Sequence, residues 1–472
     1  MCRFLCVVIL FLFSSSVNHG RPIVVLTQKM LDSAKDSFIV NKHYDLAGQK
    51  LVIPEGLVLL FRGGSVDNGE LRGDNTKLES PGRQQVFGLD IKITGLWQVS
   101  EVHDGWFAFD KSRGFVSNQL INNILAFSDD SSFCHIFLEE DRVYYFELPY
   151  KGRANIGDLV SYRIVDGVKK RNYAEIYNDD YSFLRIFTIP SNTSLTINNT
   201  LKMLPTNVGA YFVFWEYGKE NISVDGSGTI SGDNDWHQYD SPFAGKKYYG
   251  EWGHIFKCIK CRRFSFKDIT LTDAFGDCII YSGSYYPNEK GSRWASDLTM
   301  ENVKIKRARR NGVAIGARRV RIINCQFDSC GIKSVRGTKP KSAIDFEPDQ
   351  VKKYPEIGNQ DVLMENCTFA NNFFDVASYR NNLNEYGSTA TIIRNCKFTA
   401  PLKIEGTFWM RFENCIIPFV YNTKDNRSVM LYSKHMEFVN CEFGQYDITV
   451  LGFASNVTNK YVNCRFNTAK NY

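Results

Sequence analysis

Apolar and polar residues alternate with period two in short runs along most of the chain. This is the pattern of strands with one buried face. In residues 37–108, "FIVNKHYDLAGQKLVIPEGLVLLFRGGSV" mixes apolar alternation with Gly, Asn and Asp turn chemistry. "GELRGDNTKLES" and "DIKITGLWQVS" continue it, so stacked short strands are expected there. Residues 109–215 break the rhythm: "NQLINNILAF" predicts a short helix, followed by several strands.

From residue 216 onward the alternation is organised around a repeated phrase. Asn-Cys recurs at Asn324-Cys325, Asn366-Cys367, Asn395-Cys396, Asn414-Cys415, Asn440-Cys441 and Asn463-Cys464, at spacings of 42, 29, 19, 26 and 23 residues. The surrounding phrases are alike: "RIINCQF", "LMENCTF", "IIRNCKF", "RFENCII", "EFVNCEF" and "KYVNCRF". "TMENVKI" at Asn302 and "SFKDITL" at Asp268 fit the same frame, with Val303 and Ile269 in the Cys position. The shortest spacings suit one turn of a β-coil, and the longest suits a coil carrying a loop. Stacked coils place equivalent residues about 4.8 Å apart. An Asn in each coil is then expected to bond its neighbour's backbone at a bend, while the small Cys fills the interior as a reduced, structural residue. Cys258-Ile-Lys-Cys261 is a lone CxxC without a second pair, which is weak ground for zinc.

At the N-terminus, Arg3 supplies a positive charge, Phe4–Phe13 an apolar stretch, and Ser14, Ser15, Ser16 and Gly20 small residues for cleavage. Residues 1–20 therefore read as a signal peptide, and no later run approaches eighteen apolar residues. An exported protein without a membrane span is expected, in the periplasm or outside the cell. Of the 13 cysteines, two lie in this segment, leaving an odd number that cannot all pair. Composition agrees with a β-rich chain: 472 residues, 14% aromatic, 35 Gly, and a mild net charge of +6.

These phrases, with "VDGSGTISGDNDWH" (Val224–His237), "RRNGVAIGARRVRIINCQF" and "SAIDFEPD" (Ser342–Asp349), resemble the right-handed parallel β-helix, pectate-lyase-like superfamily. The likeness covers about Asp225 to Phe466, and "DGSGTISG" looks like the opening coil of polygalacturonase-type helices. The paired aspartates and Gly-His-Gly of those hydrolases are not present as such. The resemblance implies an all-β, right-handed parallel β-helix solenoid over 216–472, an N-terminal β-rich capping module over 21–108 and an insertion over 109–215. It also implies an exported, carbohydrate-degrading enzyme like the bacterial polysaccharide lyases and glycoside hydrolases, a monomer.

Charge then locates the chemistry. Between Glu301 and Lys341 twelve basic residues face only Glu301 and Asp328, a balance of +10 in 41 residues. Such a stretch reads as a groove for a polyanion. Export and the lack of any nucleic-acid motif favour an acidic polysaccharide over nucleic acid. Aligning apolar cores sets Val313-Ala314-Ile315-Gly316 beside Ile344-Asp345-Phe346-Glu347. Asp345 and Glu347 then project outward over the small Ala314 and Gly316, with Val376 and Ser378 on the next coil. The expected catalytic set is Asp345, Glu347, Arg309, Arg310 and His254. Arg336, Lys339, Lys341, Tyr379, Arg380 and Asp277 are expected to bind substrate, and Asp273 to extend the groove.

Three readings follow. A lyase would use arginines to neutralise a uronate carboxylate while Lys, Arg, His or Tyr removes the C5 proton, Asp345 and Glu347 either holding Ca²⁺ or orienting the sugar. A glycoside hydrolase would use Asp345 and Glu347 as acid and base. A glycan-binding β-helix would use the same groove without catalysis.

Overall fold

The computed structural model describes residues 23–79, 82–109, 116–149, 162–165, 168–171, 184–206, 210–237, 252–283, 294–332, 340–346, 359–379, 391–405, 407, 409–419, 435–445 and 459–467. The proposed signal peptide lies outside them.

Each coil contributes one strand to each of three parallel sheets. In one coil, Arg262–Lys267 lies in sheet I, Thr270–Thr272 in sheet II and Ile279–Ser282 in sheet III, and Ala295–Glu301 begins the next coil in sheet I. The pairing carries sequence-equivalent residues up the stack. In sheet I a column runs Val224, Phe266, Met300, Ile322, Met364, Ile393, Phe412, Phe438, Tyr461. Sheet II contributes Leu201, Ile230, Leu271, Ile305, Phe327 and Phe369. Sheet III adds Phe256, Ile279, Val313, Ile344, Val376 and Leu402. Nearly all of these side chains are buried, so the three columns form one continuous core. Each large side chain contributes about 1.5–3 kcal/mol on burial. The architecture is a right-handed parallel β-helix, as the repeat implied.

The segment 23–98 is itself built of parallel pairs, such as Ser37–Val40 with Val58–Phe61 and Gly69–Glu79 with Ile91–Gln98. Glu101–His103 then pairs with Cys134–Leu138, which pairs with Thr193–Ile197, which pairs with Glu220–Asp225. Described strands inside the segment 109–215, expected as an insertion, therefore pair with the rungs on either side, and an antiparallel hairpin, Tyr162–Val165 with Val168–Arg171, lies between two of them in the chain. The short helix is present at Asn118–Leu125. Its Asn123 accepts from the Ile93 N–H (2.9 Å) and donates to the Ile91 carbonyl (2.8 Å), tying the helix to the strand beneath.

The Asn-Cys phrase lies at the bend from sheet I to sheet II. Asn302, Asn324, Asn366, Asn395, Asn414, Asn440 and Asn463 all have φ between 51° and 55°, the left-handed region that Asn tolerates better than most residues. The expected side-chain bond to a neighbour's backbone is not what forms. Backbone N–H groups bond the next coil's carbonyls, as in Asn414 N to Val439 O at 2.9 Å. The amides instead bond one another: Asn440 to Asn414 and Asn414 to Asn395, each at 3.1 Å. Among the described residues the cysteines are free thiols, all buried except the half-buried Cys464. Burial pushes the Cys330 thiol up to about 12. Among the described residues no helix is long and apolar enough to cross a membrane.

Candidate functional site

Polar chemistry concentrates at the bends from sheet II to sheet III, where successive coils stack residues 273–278 on 307–312. The bends are fastened by backbone bonds from Arg309 N to Ala274 O and Arg310 N to Gly276 O, both 3.0 Å. Gly312 allows the next coil to close up, since a Cβ there would lie 2.5 Å from the Ala343 carbonyl oxygen.

This stacking builds a buried polar chain across four coils. Asp277 accepts from Arg310 Nη1 (2.7 Å) on one oxygen and from the Asn311 backbone N–H (2.9 Å) on the other. Asn311 Nδ2 donates to Asp345 Oδ2 (3.2 Å), and its Oδ1 accepts from the Ser342 N–H (3.0 Å). The Asp277 N–H in turn donates to His254 Nδ1 (3.2 Å), which leaves the His254 proton on Nε2. Burial, reinforced by the positive Lys257 and Arg310, holds the His254 imidazole well below its ordinary pKa.

A second cluster lies one coil back. Asp233, fully buried, accepts from His237 Nδ1 (2.8 Å) and the Thr206 N–H (2.9 Å) on Oδ2, and from the Tyr211 hydroxyl (2.8 Å) on Oδ1. The His237 ring stacks on Phe275 at 3.8 Å, and the Arg309 guanidinium lies 4.9 Å from the same ring's centroid. A carboxylate-oriented imidazole and a guanidinium therefore share one aromatic wall. Burial first, then the Asp233 charge, raises the Tyr211 phenol well above its ordinary value, so Tyr211 serves as a hydrogen-bond donor.

Several expected residues fall elsewhere than the sequence placed them. Asp345 does pair with Ala314 on the outer side of sheet III, but its other neighbour is Ala377, not Val376, giving the column Ile280, Ala314, Asp345, Ala377, Lys403. It is not an exposed carboxylate: it is wholly buried and satisfied in part by Asn311 of the preceding coil. Arg309 and Arg310 are buried as well, and Arg310 pairs with Asp277, not Asp345. His254 is buried and its Nδ1 lone pair is taken by the Asp277 N–H, so the neutral ring carries its proton on Nε2 and keeps no second lone pair to act as a base. Lys341 is half-buried with its ammonium 5.5 Å from the Phe373 ring centroid. Tyr379 ends the strand Phe374–Tyr379. Glu347, Arg336, Lys339 and Arg380 lie outside the described residues.

The basic stretch is less one-sided in space than in sequence. Arg307 pairs with Asp273 (2.5 Å), Arg310 with Asp277 (2.7 Å), Arg319 with Asp297 (2.5 Å) and Arg321 with Asp361 (2.8 Å). Each acid comes from an adjacent coil. Asp273 is thus an ion-pair partner within the site rather than an extension of an open groove.

Of the two carboxylates expected for Ca²⁺, Asp345 accepts from Asn311 Nδ2 (3.2 Å) and Glu347 lies outside the described residues. Among the described residues no three His, Cys, Asp or Glu side chains converge as a metal site. The residues missed from sequence are Asp233, His237 and Tyr211. The Asp-x-x-x-His spacing within "SGDNDWH" was the available signal for two of them, while Tyr211 arrives from the preceding coil without one.

No family model matches the chain. Over 207 residues, 42% of its length, it is 30% identical to the uncharacterized protein YclG of Bacillus subtilis, and it spans 33% of that protein. It is similar to the catalytic unit of a thermostable GH87 α-1,3-glucanase from Streptomyces thermodiastaticus at 10% identity and TM-score 0.31, covering 96% of this chain and 71% of that one. For polygalacturonase from Erwinia carotovora the values are 10%, 0.24, 97% and 98%. For alginate lyase AlyF-OU02 they are 10%, 0.27, 90% and 84%. At this identity and score, the fold rests on the chain's own strand register.

Proposed function

We propose that the protein is an exported carbohydrate-active enzyme that cleaves an acidic, uronate-containing polysaccharide by β-elimination. The observation that carries this reading is the placement of His237, backed by Asp233, against the same Phe275 ring as Arg309, one bend from Arg310. Elimination needs a cation on the uronate carboxylate and a base for the C5 proton. Arg309 supplies fixed positive charge in a water-poor setting, where it acts strongly on a developing enolate, while the Arg310 charge is shared with Asp277. Asp233 accepts a hydrogen bond from His237 Nδ1, so in the neutral ring of this buried side chain the lone pair sits on Nε2, the atom this reading takes as the base. The C5–H electron pair becomes the C4=C5 double bond as the C4–O bond breaks, and the leaving oxygen takes up a proton from the imidazolium or water.

Hydrolysis is a second reading, supported by the bridging of Asp277 and Asp345 through Asn311. Both oxygens of Asp277 are already engaged, however, which leaves it poorly placed to deliver a proton. Purified protein incubated with uronate and neutral polysaccharides separates the readings. Ultraviolet-absorbing unsaturated ends mark elimination, and new reducing ends without that absorbance mark hydrolysis. Binding without either product marks a glycan-binding module. If elimination holds, His237→Ala loses at least about 10²-fold in turnover.

A further inference from the structure

Along the bends from sheet II to sheet III, two large aromatic rings stand at the surface, each with a lysine ammonium over its ring. Trp236 follows the strand Thr229–Ser231, is 38% exposed, and has Lys202 Nζ 4.2 Å from its centroid. Phe373 follows Thr368–Ala370, is 48% exposed, and has Lys341 Nζ 5.5 Å from its centroid. Register in sheet II separates the two strands by four rung steps: Ile230 to Leu271, Ile305, Phe327 and Phe369. At about 4.8 Å per rung the platforms stand about 19 Å apart along the axis. The bends of Arg307 and Arg310 lie between them.

We propose that Trp236–Lys202 and Phe373–Lys341 are two binding subsites for one linear acidic glycan lying along the helix axis across the candidate site. This rests on the polysaccharide reading above and adds where the polymer is held and how long it must be. An exposed ring beside a cation suits an acidic sugar: apolar C–H surface meets the ring while the carboxylate meets the ammonium. Large apolar rings placed at the surface gain nothing from the core, and each carries a lysine partner, Lys202 for Trp236 and Lys341 for Phe373. A ligand reaching both is held by two linked contacts, and its affinity exceeds that for either alone.

The test uses full-length protein carrying His237→Ala, so that probes are not consumed, and equilibrium binding of three probes: a uronate dimer, a uronate hexamer and a neutral glucose hexamer. The uronate hexamer is expected to bind at least about tenfold more tightly than the dimer, which is too short to join the platforms. Trp236→Ala or Phe373→Ala removes that length advantage, and Trp236→Phe restores part of it. Lys202→Gln with Lys341→Gln weakens the uronate hexamer and leaves the neutral one unchanged. Equal affinity for dimer and hexamer, indifference to both ring substitutions, or equal binding of the neutral hexamer overturns the proposal. Polymer turnover by the protein with His237 intact is measured alongside. Turnover with ring-independent binding sinks the platforms alone, whereas no turnover of any uronate polymer sinks the parent reading.

Discussion

His254 and His237 belong to the same neighbourhood, yet their surroundings assign them opposite parts. His254 spends its Nδ1 lone pair on a backbone N–H and is kept neutral by burial, whereas His237 gives its Nδ1 proton to a buried carboxylate. Sequence alone offered aromatic neighbours for His254 and nothing that showed which ring nitrogen was taken, so the better-decorated histidine looked the better base. Asp277 shows the energetic side of such sites. Asp277→Asn removes the carboxylate from a buried guanidinium and should destabilise by about 3–5 kcal/mol, while a compensating Arg310→Met recovers most of the loss. Urea unfolding of the single and double variants checks this. Glu216 makes a pH-dependent case. It is fully buried, its Oε1 accepts the Ile189 N–H at 2.8 Å, and burial pushes its pKa up to about 8. A raised carboxyl pKa means the folded state holds a proton that the unfolded chain has already released. Its contribution is therefore full below about pH 4.5 and lost as pH rises through about 8. Glu216→Gln keeps the acceptor and removes the charge, so its advantage over wild type should grow from pH 4.5 to 8 and reach about 3 kcal/mol at pH 7. A thermal-midpoint gap that is flat with pH would contradict this. The lowered pKa of His254 runs the other way, costing stability as pH falls below its unfolded value, but it is common to both proteins and cancels.

At the scale of the element, the bends carry more information than the strands. Three sets of non-glycine residues adopt positive φ at equivalent places: the Asn of the Asn-Cys phrase; Asn192, Asn221, Arg263, Asp297, Arg319 and Asp361 in sheet I; and Asp273, Arg307, Ser329 and Asn371 after sheet II. The first set was legible because one residue type fills it. The other two were not, because their members differ in type and are united only by backbone geometry and by bonds between coils, such as Asn221 to Asn192 at 2.7 Å and Arg307 to Asp273. The Asn ladder was recognised but its bonding misjudged, since a repeated polar residue does not reveal that its own φ is the constraint. Asn414, at φ 51° and bonded to amides on both sides, tests this. Asn414→Ala loses both bonds and keeps a Cβ in the left-handed region, which costs an L residue about 1–2 kcal/mol, without the short polar side chain that lets Asn tolerate it. Asn414→Gly loses the bonds without that strain. Denaturant midpoints should rank wild type, then Gly, then Ala; a glycine variant no more stable than the alanine variant would mean that the left-handed backbone is not the constraint.

Across the whole molecule, the variable coil length that made the repeat readable also hid the electrostatics. Arg307, Arg310, Arg319 and Arg321 meet acids that are 34, 33, 22 and 40 residues away in the chain, distances that no fixed periodicity supplies. A stretch that is strongly basic when read linearly is therefore substantially paired once coiled, while the interior, built from identical positions, was read correctly. That interior gives a test of how the solenoid holds together. Each coil touches only its neighbours, so stability is nearly a sum of local interfaces, and opening can be partial. The cysteines report it rung by rung. Cys464 is half-buried, whereas Cys441, Cys415, Cys278 and Cys258 are buried. Hydrogen bonding to Cys396 together with burial pushes the Cys415 thiol up to about 12, so its reactive thiolate is scarce at neutral pH. With a thiol-alkylating reagent near neutral pH, the native protein should label Cys464 readily and the others only through opening. Raising denaturant in small steps and locating the labels by mass spectrometry should show Cys464 first and Cys441 next. Cys258 and Cys278, flanked by coils on both sides and packed beside the polar chain of Asp277 and Arg310, should come last. Labelling of Cys258 or Cys278 before Cys441 would mean that the solenoid opens from the site outward.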